Sequence, residues 1–325
     1  MAGMLRSLRR RILTPDVAET KLAVRGFHVK DENSRELLEK IGEVFLTGYA
    51  YAVESRTAAE AEERLERIPE RFRGFAYEGA GMGAAVLDCV TPGGLRRVRD
   101  LLNGRGSRHN YMIYIGVGWA MARLPKFLWP KSTGLDPLLL WLVHDGYGFH
   151  QAYFHTERYV HRQERETGFG WPAGQEAYAQ RAIDQGIGRA LWFVAGTDVE
   201  QVVTLIERFP EDRHADLYAG VGLASTYANG ATDEELLELR HRAGPHFPRL
   251  AQGSAFAAEA RIRAGLLVPH TGRATQILCG TTAEHASDVC LQTIPGSSSP
   301  GELPAYEIWR QRIADAFVSL GGVTP

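Results

Sequence analysis

The densest set of groups able to move a proton near neutral pH lies between residues 144 and 161. The run His144-Asp-Gly-Tyr-Gly-Phe-His150-Gln-Ala-Tyr-Phe-His155-Thr-Glu-Arg-Tyr-Val-His161 holds four of the chain's eleven histidines in eighteen residues. Imidazole titrates in this range, and one carboxylate beside it is enough to orient a general acid or base. Asp145 and Glu157 are the carboxylates at hand. The same run offers Tyr147 and Tyr153, whose rings combine an apolar face with a polar tip. Its spacing does not suit a metal, because the i,i+4 pair of histidines, HExxH and the facial-triad pattern are all missing. No metal site and no cofactor are expected. The bland alternative is a surface or interdomain helix whose histidines and tyrosines satisfy backbone carbonyls.

A second candidate is acidic. Glu78 stands between Tyr77 and Gly79 in Phe75–Leu87, a segment otherwise apolar almost all round. Burying a carboxylate there is costly unless it is paired or neutralised, and either condition perturbs its titration. The competing structural reading is a salt bridge to Arg73 or Arg123.

These residues must be placed by the elements around them, and the sequence says much about those, because the chain contains much of itself twice. Sliding Glu66–Arg99 onto Glu207–Arg240, a displacement of 141, gives ten identities in 34 positions. Ordinary composition would give roughly two. Thr57-Ala-Ala-Glu60 and Thr197-Asp-Val-Glu200 both read as capping boxes. Further on, Gly116-Val-Gly-Trp-Ala resembles Gly253-Ser-Ala-Phe-Ala, now 137 apart. The expected organisation is a basic arm over 1–32, a first repeat over 33–160, a linker over 161–184, a second repeat over 185–295, and a linker with a C-terminal helix over 296–325. On such a frame, function is best sought where the copies differ. Glu78 faces Ala219, Asp88 faces Asn229, and the His-rich run has a weak counterpart that keeps only His270.

The expected fold is mainly α, an internally duplicated, pseudo-twofold, two-lobed helical domain. Asn33-Ser-Arg-Glu36 reads as a helix start, followed by Leu37, Leu38, Ile41, Val44, Phe45 and Tyr49 at helical spacing. Thr91-Pro92 reads as another, and Tyr306–Leu320 as a final amphipathic helix. Phe75–Leu87 and Tyr111–Leu124 are rich in glycine and alanine, and in the first Ala76, Ala80 and Ala84, like Gly79 and Gly83, fall at four-residue intervals, a stripe on which a second backbone can pack, by analogy with membrane helices. The alternatives are that the missing side chains leave a slot for a flat ligand, or that these segments are short strands in an α+β fold, since Tyr111–Val117 is rich in aromatic and β-branched residues.

Composition narrows the function classes. With 44% hydrophobic and 23% charged residues the chain is ordinary globular protein, and a formal charge of −2 gives no reason to expect nucleic acid. Arg6, Arg9, Arg10 and Arg11 cluster without the apolar stretch of a secretory signal, and no stretch reaches the roughly 20 residues of a membrane span. The three cysteines, Cys89, Cys279 and Cys290, lack CxxC spacing, so a cytoplasmic protein with buried thiols is expected. The Gly-rich run at Gly79–Gly83 is a weak dinucleotide fingerprint, and neither a Walker loop nor a GxSxG elbow occurs.

Five segments together carry a family resemblance: residues 38–49, Arg73–Ala80, Gly118–Pro125, Asp145–His155 and Gly186-Ile-Gly-Arg-Ala-Leu-Trp192. In these the chain resembles the UnbL-type family of enediyne biosynthesis proteins, over about residues 5 to 275. The resemblance implies a cytoplasmic accessory protein encoded beside an iterative enediyne polyketide synthase, with a linear polyene as its ligand and the synthase as a possible partner. It brings no catalytic residues with it.

The resulting expectation is a cofactor-free acid–base enzyme. Glu78, His144, Asp145, His150 and His155 would be its catalytic groups, and Tyr77, Trp119, Tyr147 and Tyr153 its substrate-binding rings. The alternatives are a non-catalytic polyene carrier or synthase scaffold, and a metal-dependent redox enzyme. A homodimer is compatible with all three.

Overall fold

The computed structural model describes residues 16–130, 134–167, 169, 176–296 and 303–320. Arg6, Arg9, Arg10 and Arg11 of the N-terminal arm and residues 297–300 of the Gly-Ser stretch lie outside this set. The described residues form helices and turns without a strand, so the mainly α expectation holds. The strand alternative for the Gly-rich segments is overturned, since both lie in helices.

The chain divides into two compact units, one of Met1–Gly26 with Glu36–Tyr147, the other of Phe27–Arg35 with Gly148–Pro325. The first holds most of helix α1 (Glu32–Glu54), then α2 (Ala58–Leu65), α3 (Glu70–Cys89), α4 (Arg96–Asn103), α5 (Asn110–Arg123) and the first half of α6 (Trp141–Phe154). The second holds the rest of α6, a π turn at Glu157–His161, then α7 (Glu176–Val194), α8 (Val199–Glu207), α9 (Glu211–Ala228), α10 (Asp233–Arg242) and α11 (Phe247–Arg263). It ends with α12 (Pro269–Cys279), α13 (Ala283–Gln292) and α14 (Ala305–Leu320).

Backbone contacts explain the glycines. A Cβ added to Gly79 of α3 would stand 1.9 Å from the Phe45 carbonyl oxygen of α1, and one on Gly116 of α5 would stand 2.2 Å from the Glu78 carbonyl oxygen of α3. The second unit repeats the pattern: an added Cβ would stand 2.0 Å from the Gln185 carbonyl oxygen of α7 on Gly220 of α9, and 1.9 Å from the Ala219 carbonyl oxygen of α9 on Gly253 of α11. Each glycine costs its helix up to about 1 kcal/mol against alanine, and the close helix contact it permits offsets that cost. The space left by the missing side chains is therefore filled by neighbouring backbone within each unit, and these glycines leave no slot for a flat ligand.

The helix starts differ in detail from the sequence reading. Ser34 N–H donates to Asp31 Oδ1 at 2.7 Å, so Asp31 rather than Asn33 caps α1. Thr57 caps α2, but its Glu60 reaches back to the amide of Arg56. Asp198, not Thr197, caps α8. The reciprocal capping box occurs at Thr232 and Glu235, ahead of α10. Helix α4 starts at Arg96, five residues after Thr91, because Gly93 and Gly94 at φ 123° and 64° interrupt the chain between them.

Candidate functional site

In the first unit Glu78 sits in the middle of α3 and is 3% exposed. The indole N–H of Trp119, on α5, donates to its Oε1 at 3.0 Å, and the Phe45 ring of α1 lies 4.4 Å from the indole. Arg73 points elsewhere: its guanidinium donates to the Ile68 carbonyl at 3.1 Å and to Glu66 at 3.3 Å. The backbone of Glu78 does the same work as that of Ala219 in the second unit, since each carbonyl receives the close approach of a glycine on the next helix. The fold thus uses this position for its backbone in both units and carries a carboxylate in only one.

Tyr77, the neighbour of Glu78, faces away from it. Its hydroxyl donates to Glu66 Oε1 at 2.7 Å and its ring stacks on His109 at 3.9 Å. Burial and then the Glu66 hydrogen bond raise its phenol well above the ordinary tyrosine range. Tyr218 stacks likewise on His246 in the second unit, at 5.5 Å, so this pair belongs to the scaffold both units share.

The His-rich run is helix α6 followed by the π turn. His144 and Asp145 are fully buried in its first half, with the His144 ring 4.9 Å from Trp141. Tyr147 meets Trp129 edge-on at 5.9 Å. These three residues belong to the first unit, as do Glu78, Tyr77 and Trp119, whereas Tyr153, His150 and His155 belong to the second.

His150 is buried, with its Nδ1 3.4 Å from the side-chain oxygen of Gln151 and its ring 4.7 Å from Phe154. His155 is exposed, its ring 6.4 Å from that of His150. Tyr153 sits in an aromatic group with Phe27 at 4.9 Å, Phe154 at 5.0 Å and Phe149 at 5.8 Å.

Beside His150 lies a hydrogen-bonded chain that the sequence reading missed. Gln151 Nε2 donates to the Tyr159 hydroxyl at 3.0 Å, and that hydroxyl donates to Glu166 Oε2 at 2.6 Å. Burial first, then the Glu166 bond, pushes the Tyr159 phenol up to about 12. Tyr159 is delivered by the π turn, a form that recurs at functional sites. Its only sequence signal is position inside the His-rich run.

A larger buried polar group in the second unit was also missed. Glu307 of α14 meets three guanidiniums, Arg249 at 2.7 Å, Arg181 at 2.9 Å and Arg310 at 3.2 Å, and accepts from Tyr178 at 2.7 Å. Arg310 reaches Asp216 at 2.8 Å. Burial alone pushes the Glu307 carboxyl up, but Arg310, Arg249 and Arg181, with the Tyr178 hydroxyl, outweigh it and hold it at about 2. The group ties α14 to α7, α9 and α11.

Among the described residues no three His, Cys, Asp or Glu side chains gather as a metal-binding group, and no helix is long and apolar enough to cross a membrane. A family model matches residues 4–317, nearly the whole chain, and its description is "Protein of unknown function (DUF1702)". No curated protein and no solved structure matches the chain.

Proposed function

The chain belongs to the DUF1702 family, and from that premise we propose that it is an accessory enzyme of enediyne biosynthesis. It would act without a cofactor on a polyene made by the polyketide synthase, by acid–base chemistry centred on Glu78. One observation carries this reading: at matched backbone positions the first unit holds a buried carboxylate with an indole donor, and the second holds Ala219. A carboxylate that the fold does not require is kept where burial is costly.

The pathway assignment draws on the resemblance of five segments to the UnbL-type proteins, and the chemistry draws on Glu78. A prototropic shift of double bonds along a conjugated chain takes a proton from one carbon and returns it at another, which a single shielded carboxylate can do. His144 and Asp145 lie in the same unit as Glu78 and are candidates for a second proton-transfer group. His150 and His155, with the Tyr153 ring, form a separate candidate group in the second unit.

The test is to incubate the polyene with catalytic amounts of the purified protein, without added cofactor, and follow products by mass spectrometry. A new isomer or mass forming over many turnovers, slowed by about 10²-fold or more in Glu78→Gln, supports the assignment. Saturable binding with the polyene returned unaltered overturns it in favour of a carrier.

A further inference from the structure

The two units differ at a second place, away from Glu78. In the first unit a cleft of about 190 Å³ opens between the C-terminal end of α1, the start of α2, α3 and α4, with Ala52, Ser55, Arg56, Arg96, Arg97 and Asp100 in its lining. Its walls also include Thr57 and Ala58 at the start of α2.

The matched place in the second unit is filled. Ala52 corresponds to Trp192, displaced by 140 as Gly48 is from Gly188. The Trp192 side chain is 0% exposed, and its indole donates to the Asn229 carbonyl at 2.9 Å. The segment Phe27–Arg35 completes the filling: His28 N–H donates to the Val194 carbonyl at 3.0 Å, and Lys30 reaches the Gly230 carbonyl at 2.7 Å and Glu235 at 2.9 Å. Its backbone approaches where Gly196 has no side chain, a position taken in the first unit by Arg56. The backbone also differs here, with Gly196 and Thr197 at φ 58° and 66° against −129° at Thr57, so the first unit does not offer a peptide the same seat. The cleft suits a smaller ligand.

Its chemistry is that of an anion site. Ser55 corresponds to Ala195, Arg56 to Gly196, Arg96 to Leu237 and Arg97 to Glu238, so this serine and these three arginines belong to the first unit alone. Arg97 is held by buried Asp88, at 3.3 Å, and Arg56 and Arg96 make no ion pair among the described residues. Asp100 is the carboxylate of the lining, against these three guanidiniums. Ser55, one of the lining residues, is 6% exposed, and its buried hydroxyl finds no hydrogen-bond partner. The Ala58 and Ala59 amides, ahead of the Glu60 amide that Thr57 caps, add the positive end of a helix dipole.

We propose that this cleft binds the oxyanion head, phosphate or carboxylate, of a small molecule. Guanidinium forks match both groups in geometry, and a rotation of the Ser55 hydroxyl supplies one further donor.

The experiment is a titration of the full chain with inorganic phosphate and, separately, with succinate, at constant ionic strength set by chloride. Binding is read by ³¹P line broadening and by the rise in unfolding temperature. Saturable binding of either ion, weakened at least tenfold in the double variant Arg56→Ala with Arg96→Leu and about threefold in Ser55→Ala, supports the proposal. The ion that saturates identifies the head group. Both arginines are exposed, so that variant should fold. Ala52→Trp, which places the indole of the second unit in the cleft, should abolish binding. Two results would overturn the site: neither ion saturating, or equal affinities in the wild type and the arginine variant.

Discussion

Replacing Glu307 by glutamine should be among the most damaging single changes available in the second unit. The substitution keeps the shape and an acceptor for Tyr178, and removes the negative charge that faces Arg310, Arg249 and Arg181. Arg310 is fully buried, so it would keep only Asp216 as a counter-charge. Removing one partner of a buried pair typically costs about 3–5 kcal/mol. An independent route gives a similar size. A glutamate ordinarily near 4.5 that is held at about 2 when folded contributes about 3 kcal/mol of stability at neutral pH. Because its folded value is depressed, that contribution is fully present above pH 4.5 and is lost as the pH falls towards 2. Urea unfolding of wild type and Glu307→Gln at pH 7, 5, 4 and 3 checks both parts. The variant should be less stable by about 3–5 kcal/mol at pH 7, and the gap should narrow progressively below pH 4.5. A gap under about 1 kcal/mol, or one that does not change with pH, would refute the electrostatic account. The double variant Glu307→Gln with Arg310→Met separates charge from shape, and should recover part of the loss.

Gly79→Ala drives a methyl group into the Phe45 carbonyl, with α1 and α3 forced apart, and should cost about 3 kcal/mol or more in thermal unfolding. Gly272→Ala, on α12 with nothing within 4 Å, should instead stabilise by about 0.5–1 kcal/mol. Equal effects at the two positions would contradict the close-contact reading. Tyr159→Phe breaks the link between Gln151 and Glu166 and leaves both partners short of a bond, a loss of about 1–3 kcal/mol by denaturant unfolding. Burial pushes the Cys89 thiol up to about 11 and that of Cys279 to about 12. Thiol labelling of the native protein at pH 8 should therefore be slow at both, and a fast-reacting fraction would show an error in their burial.

The helices were legible in the sequence because their signals are local. Hydrophobic spacing placed α1, and small residues at regular intervals marked α3 as a helix with a flat face, while the segment of α5 also read as a possible strand. Where two capping patterns competed within a few residues, the sequence reading chose wrongly. It named Thr197 for α8, whereas Thr197 takes a left-handed φ of 66° and its hydroxyl bonds Ser34 and Gly230. Those partners are distant along the chain, so no local pattern points to them.

The candidate site divides in the same manner. Glu78 stood out from sequence alone, because a carboxylate in an apolar, glycine-rich helix conflicts with its surroundings and its counterpart is alanine. That Trp119 supplies the donor, and that Tyr77 turns to Glu66 and His109, depends on which faces of α3 and α5 meet, and only the packed helices settle that. The Glu307 group was invisible for a related reason. Its charges come from α7, α9, α11 and α14, and each alone reads as an ordinary charged residue on a helix. Composition and periodicity determine which segments are helical, since those preferences act within a few residues. Which buried charges find partners, and which cleft stays open where its counterpart is filled by Trp192, is decided by tertiary packing, because both depend on side chains brought together from distant parts of the chain.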